Sequence, residues 1–148
     1  MYLSDKNILE EIEKGNLSIS PFNKEHLTPN GYDLEIEIDD IPSCIDSYMI
    51  ESNKMFKIKT KEEVHLGSNI IAFMYLRSRY TRQGLIGLFA VVDAGFNGKL
   101  IATIKNLSDS NIELNLKEGA VHIVFAYLKD EAINPYGSTD KSHFQNQK

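Results

Sequence analysis

YDLEIEID, residues 32–39, is the stretch on which the architecture turns. Tyr32, Leu34, Ile36 and Ile38 alternate with Asp33, Glu35, Glu37 and Asp39. That period of two describes a strand with one buried and one wet face. Downstream, short apolar runs follow at Ser47–Glu51, Met55–Lys59, Asn69–Leu76, Gly84–Val92, Lys99–Asn106, Ile112–Leu116 and His122–Lys129. Turn-forming residues separate them, and KEEVHLGSN, residues 61–69, reads as one such charged turn. Upstream, Phe22–Pro29 reads as irregular connection and Leu17–Ile19 as a short strand halted by Pro21.

A single helix precedes them. Ser4 is placed to cap it, Leu3 and Ile8 stand at the positions of a hydrophobic staple, and Gly15 suits a left-handed end. Many short strands with one helix predict an all-β sandwich or jelly roll. From Asp130 onward the chain turns polar, ending INPYGSTDKSHFQNQK. This predicts a β domain over residues 1–129 and an extended arm over 130–148 with no core to join.

Composition narrows the function. A chain of 148 residues, 42% hydrophobic and 25% charged, is one globular domain able to bury a core without staples. Net charge is −5, so long nucleic acid is not an expected partner, and any polyanion would be bound locally. Cys44 is the only cysteine, and the four histidines show no short metal-ligand spacing. No apolar run approaches 18 residues and MYLSDKNILEE lacks a signal-peptide core. The expectation is a soluble cytoplasmic protein with no membrane contact.

One local feature stands apart from this composition. All three arginines of the chain, Arg77, Arg79 and Arg82, fall within six residues, while the lysines are dispersed. A planar, always-charged fork concentrated at one place suits phosphate or carboxylate recognition. Ser78 adds a hydroxyl, and the cluster lies where a strand ends. Beyond it Asp93 enters a tight turn with Gly95 and Gly98. Cations, a carboxylate and a tight turn suggest a nucleotide site. Phosphoryl transfer to water needs a positioned nucleophile and neutralised phosphate oxygens, often with Mg²⁺ on one or two carboxylates. Asp33 and Asp93 are the candidates, and residue type alone does not divide the roles between them.

Five segments in order also resemble the dUTPase and dCTP deaminase superfamily. NGYDL (30–34) is similar to its first motif, and RSRYTRQGL (77–85) to its RSSLAR-x-GL phosphate segment. VVDAGFNGKL (91–100) resembles its nucleoside-binding hairpin, KEGAVHIVF (117–125) its G-x-x-I-x-Q-L-x-F strand, and NPY with FQNQ (134–147) its closing arm. The resemblance implies a distorted jelly roll, a homotrimer with sites between subunits, and Mg²⁺. It implies that Asp93 orients water and contacts deoxyribose while Asp33 supports the hydrated metal. Arg77, Ser78, Arg79 and Arg82 would hold the triphosphate, although Arg79 replaces a small residue. Phe96 would pack on deoxyribose, main chain around Phe89 to Val91 would read uracil, and Tyr136, Phe144 and Gln145 would close as a lid. His122 falls where the family usually carries glutamine.

The resemblance also separates branches. Deaminases of this family place a glutamate base in the strand after the hairpin, and GKLIATIKN (98–106) has Thr103 there. A threonine hydroxyl does not accept a proton near neutral pH. The pattern therefore looks most like archaeal-type dUTPases, which release pyrophosphate from dUTP. A dCTP deaminase, alone or bifunctional, and a non-catalytic nucleotide-binding regulator remain the alternatives.

Overall fold

The computed structural model describes residues 1–148. Its first element, α1 (Asp5–Glu13), is built as its sequence signals require. The Ser4 hydroxyl accepts from the Asn7 amide, and the Asn7 side chain returns the bond to the Ser4 amide. Leu3 and Ile8 are fully buried, and Gly15 has φ +73° just past the end.

Strands follow in the order β1 (Leu17–Ser20), β2 (Leu27–Thr28), β3 (Gly31–Leu34), β4 (Ile36–Glu37), β5 (Ser47–Ile50) and β6 (Met55–Leu66). A 3₁₀ turn, Lys24–His26, precedes β2. Next come β7 (Ile70–Leu76), the short helix α2 (Ser78–Thr81), β8 (Leu85–Leu88), β9 (Val91–Val92), β10 (Asn97–Asn106), β11 (Ile112–Asn115) and β12 (Val121–Tyr127). One sheet has the order β1-β6-β10-β8, with β4 also on β6; the other runs β2-β3-β12-β7-β9. A ribbon pairs β11 with β5, and every pairing is antiparallel. This is the jelly roll expected. Side chains of both sheets meet in one apolar core that includes Tyr32, Leu66, Ile104 and Phe125. No helix is long and apolar enough to cross a membrane.

Four local expectations need correction. Residues 32–39 do not form one half-wet strand: all of β3 is buried, and the chain changes sheets at Glu35, so β3 pairs with β12 and β4 with β6. Alternation survives, but its two halves serve different sheets. The charged stretch 61–69 is not a turn at its start, because β6 runs through Leu66 with Glu62, Val64 and Leu66 inside. Pairing with β1 on one side and β10 on the other overrides the local signal of charge. Residues 84–92 split into β8, which joins β10, and β9, which joins β7.

The arm was the fourth. It does meet the core, since Tyr136 packs against it, and its backbone bonds to the β9–β10 hairpin. The Tyr136 amide donates to Ala94 O at 2.7 Å, Asn146 to Asn97 O at 2.7 Å, and Lys99 to Gln147 O at 2.9 Å.

Candidate functional site

Two clefts hold most of the residues singled out by the sequence, and they divide them. The first encloses about 520 Å³ and is lined by Asp33, Arg77, Ser78 and His122, with Asn30 and Tyr75. Register explains the meeting: His122 on β12 stands directly opposite Asp33 on β3. Their side chains join through Nδ1 and Oδ1 at 2.7 Å. Arg77 follows the end of β7, and its Nε lies 3.4 Å from Asp33 Oδ2. Its Nη1 donates to Glu118 O at 3.0 Å and Gly119 O at 3.3 Å. Gly119 is required there: φ is +70°, and a Cβ would lie 2.6 Å from that of Asp33. The β11–β12 turn therefore closes on Asp33 and fixes Arg77.

The other two arginines sit elsewhere. Arg79 Nη1 lies 3.0 Å from Glu118 Oε2, its guanidinium stacks 5.1 Å from the Tyr80 ring centre, and Arg82 is exposed at the end of α2. Neither lines the first cleft. Tyr80 turns its bulk inward, fully buried, where its hydroxyl accepts from the Asn115 amide at 3.1 Å. That bond anchors α2 to β11.

The second cleft, about 620 Å³, lies between the β9–β10 hairpin and the arm. Val91, Asp93 and Phe96 line it from the hairpin, Tyr136, Phe144 and Gln147 from the arm. Phe96 is a core aromatic as well as a lining one, 6% exposed with its ring centre 5.9 Å from that of Tyr136. The turn is held from below, because the Gly95 amide donates to Leu66 O at 3.1 Å. At φ +89° Gly95 has no side chain to block the Tyr136 backbone, which a Cβ would meet at 2.6 Å. Gln145 clamps the same turn, accepting from the Asn97 amide at 3.0 Å and donating to Gly95 O at 3.1 Å. Gln145 and the half-buried Phe89 lie outside the lining. Asp93 is the only carboxylate that lines this cleft.

Sequence reading passed over Lys57, Lys141 and His143, which also line the second cleft, the two lysines bringing positive charge to it. Lys57 is one lysine among several on β6, and only its pairing opposite Thr103 of β10 reveals the location. Tyr2 reaches the first cleft from the N-terminus with no local signal of any kind.

Chemically, the first cleft offers free hydrogen-bond donors beside a paired carboxylate. Asp33 is paired with the Arg77 guanidinium and bonded to the His122 ring, while the Ser78 hydroxyl and the Arg77 Nη2 have no hydrogen-bond partner within the chain. For Mg²⁺ the donor set fits an ion that arrives with phosphates: one carboxylate and one hydroxyl at an open cleft, with no all-protein cage.

Fold and clefts define the class, a jelly roll of the dUTPase type. A sequence model of the family described as dCTP deaminase-like matches residues 35–128. The chain is 36% identical over 143 residues to a dCTP deaminase of Pyrococcus horikoshii, covering 92% of this chain and 88% of the relative. It is 37% identical over 145 residues to a probable deoxyuridine 5'-triphosphate nucleotidohydrolase of Sulfolobus islandicus rod-shaped virus 1, with coverages of 92% and 90%. This chain belongs to the dCTP deaminase-like family. Among solved structures, the dCTP deaminase of Agrobacterium tumefaciens superposes with a TM-score of 0.66 at 14% identity, over 84% of this chain and 47% of that one. A point mutant of the dUTPase from Staphylococcus aureus phage phi11, described with a structural Mg(II) ion, gives 0.59 at 15%, over 84% and 98%. At those identities the likeness concerns the fold.

Proposed function

We propose that this protein hydrolyses dUTP to dUMP and pyrophosphate. The observation that carries this reading is the residue at position 103. Thr103 sits on β10 between Lys57 and Leu88, where a deaminase of the family would carry its glutamate base, and Asp93 is the one carboxylate in the neighbouring cleft. A lone aspartate beside an apolar wall suits orientation of a water molecule against the α-phosphorus.

In this reading the water oxygen bonds to the α-phosphorus, the bond to the bridging oxygen breaks, and pyrophosphate leaves. Asp93 orders the water and the deoxyribose. Phe96 packs on the sugar, the main chain from Phe89 to Val91 reads uracil, and Tyr136, Phe144 and Gln145 close the site. Arg77 and Ser78 hold the triphosphate, with His122 beside them, and Arg82 joins when the phosphates arrive while Arg79 stays on Glu118. Bound Mg²⁺ supplies charge neutralisation on the phosphates, and Asp33 supports its hydration shell.

The separation of Asp33 from Asp93 into two clefts of one chain supports sites shared between subunits of a homotrimer, each chain contributing one half to each neighbour. A second reading, dCTP deamination, is favoured by the name of the Pyrococcus relative. Product analysis separates them. With Mg²⁺ present, dUTP should yield pyrophosphate and dCTP no ammonia; ammonia from dCTP would reverse the assignment.

A further inference from the structure

A third group of ionisable side chains lies away from both clefts, where the chain crosses from one sheet to the other. His26 ends the 3₁₀ turn, Glu35 is the residue between β3 and β4, and Glu62 lies on β6. One donor atom from each falls within 4.8 Å of the other two. Glu62 is 1% exposed, and its two oxygens accept from the Glu35 amide at 3.2 and 3.1 Å. The Nδ1 of His26 is shielded from solvent and has no hydrogen-bond partner. Lys61 reaches Glu35 at 2.6 Å, and no cationic side chain forms an ion pair with Glu62.

Such an arrangement is costly as it stands. A buried carboxylate with a backbone amide but no counter-charge, and an orphaned imidazole nitrogen, each carry a desolvation penalty that is not fully compensated. Burial foremost, with the nearby Glu35 charge adding to it, pushes the Glu62 carboxyl up to about 7. Three segments deliver one imidazole nitrogen and two carboxylate oxygens to one point. Mixed nitrogen and oxygen donors suit first-row transition ions, whereas Mg²⁺ and Ca²⁺ take oxygen alone.

We propose that His26, Glu35 and Glu62 form a binding site for a divalent transition-metal ion of the zinc class. Three side chains supply three donors, and water completes the coordination. His26 and Glu35 are half-buried, which leaves a route from solvent. The ion ties the 3₁₀ turn, the sheet crossover and β6 together. Asp33 lies two residues before Glu35, so the same ion steadies the strand that presents Asp33 to the first cleft.

The test uses the chelator-treated, full-length protein without nucleotide. Calorimetric titration with Zn²⁺ should show one ion per chain, Co²⁺ should develop visible ligand-field absorption, and both should raise the thermal midpoint; Mg²⁺ at equal concentration should do none of these. His26→Gln and Glu62→Gln should each weaken Zn²⁺ binding by more than the roughly 10- to 100-fold that loss of a supporting group costs. His122→Asn, which removes the other imidazole–carboxylate pair, should leave binding intact. Absence of stoichiometric binding would overturn the proposal. So would binding that survives His26→Gln and disappears with His122→Asn. Should Glu62→Gln fail to fold, the half-buried His26 variant decides the matter alone.

Discussion

The two clefts of this chain solve opposite problems. The first is polar and internally balanced: Asp33 is held by His122 and Arg77, and Arg77 is held in turn by the Glu118–Gly119 turn. The second is an apolar slot around Phe96, Tyr136 and Phe144 with one exposed carboxylate, Asp93, at its edge. One is organised by charge and hydrogen bonds, the other by shape. Preorganised cations suit phosphates, and a shaped apolar slot suits a nucleoside. On one chain the two clefts are kept apart, and under the proposed function the catalytic unit would be completed only in the assembly.

The sharpest way to break this contrast is to remove the unpaired carboxylate. Asp93→Asn should lower kcat for dUTP by about 10³-fold, the scale of a lost proton-handling group, with little change in folding. Mixing Asp93→Asn chains with inactive Asp33→Asn chains, then unfolding and reassembling them, should restore about a quarter of wild-type activity if each site draws its halves from two subunits. No recovery would return both halves to one chain.

Next in size is the support beneath the first cleft. The folded pKa of Glu62, about 7, lies above its ordinary 4.5, so the native state holds the proton more tightly than the unfolded chain. In chelator-treated protein the stability this provides is complete below pH 4.5 and lost as pH rises through about 7. The full swing is about 3 kcal/mol. Glu62→Gln should flatten that decline, as denaturant unfolding at pH 5 and 8 would reveal.

Arg77→Ala should cost about 10²-fold in kcat/KM, because it deletes a fixed donor and frees the turn that closes on Asp33. Smallest of all is Arg79→Ser. Its partner Glu118 is exposed and surface ion pairs are weak, so a change under about threefold in KM is expected. A larger loss would mean that Arg79 leaves Glu118 to grip the phosphates.

What could be read from the sequence depended on range. The N-terminal helix was legible, since Ser4, Leu3, Ile8 and Gly15 act within one or two turns of it, although the return bond from Asn7 was not read. The jelly roll was legible from many short alternating runs, but not where its strands begin and end. Glu62 looks like surface charge until pairing with β1 and β10 places it inside. The arginine cluster could be seen, whereas its division between the first cleft and Glu118 could not, because the partner residues lie about forty positions away. Docking of the arm was signalled by resemblance and by no local pattern, because its bonds to the hairpin, from backbone groups and from the Gln145, Asn146 and Gln147 side chains, join residues far apart in the chain. His26, Glu35 and Glu62 meet only through the sheet crossover.

The arm's attachment to its own hairpin has a consequence for competition. A segment tethered a few residues beyond β12 acts as an intramolecular ligand at an effective concentration on the order of millimolar. Any external peptide must exceed that level to displace it. Under the proposed function, a nucleotide entering the Phe96 slot needs only to add contacts to an arm already in place, so the tether favours capture over exchange.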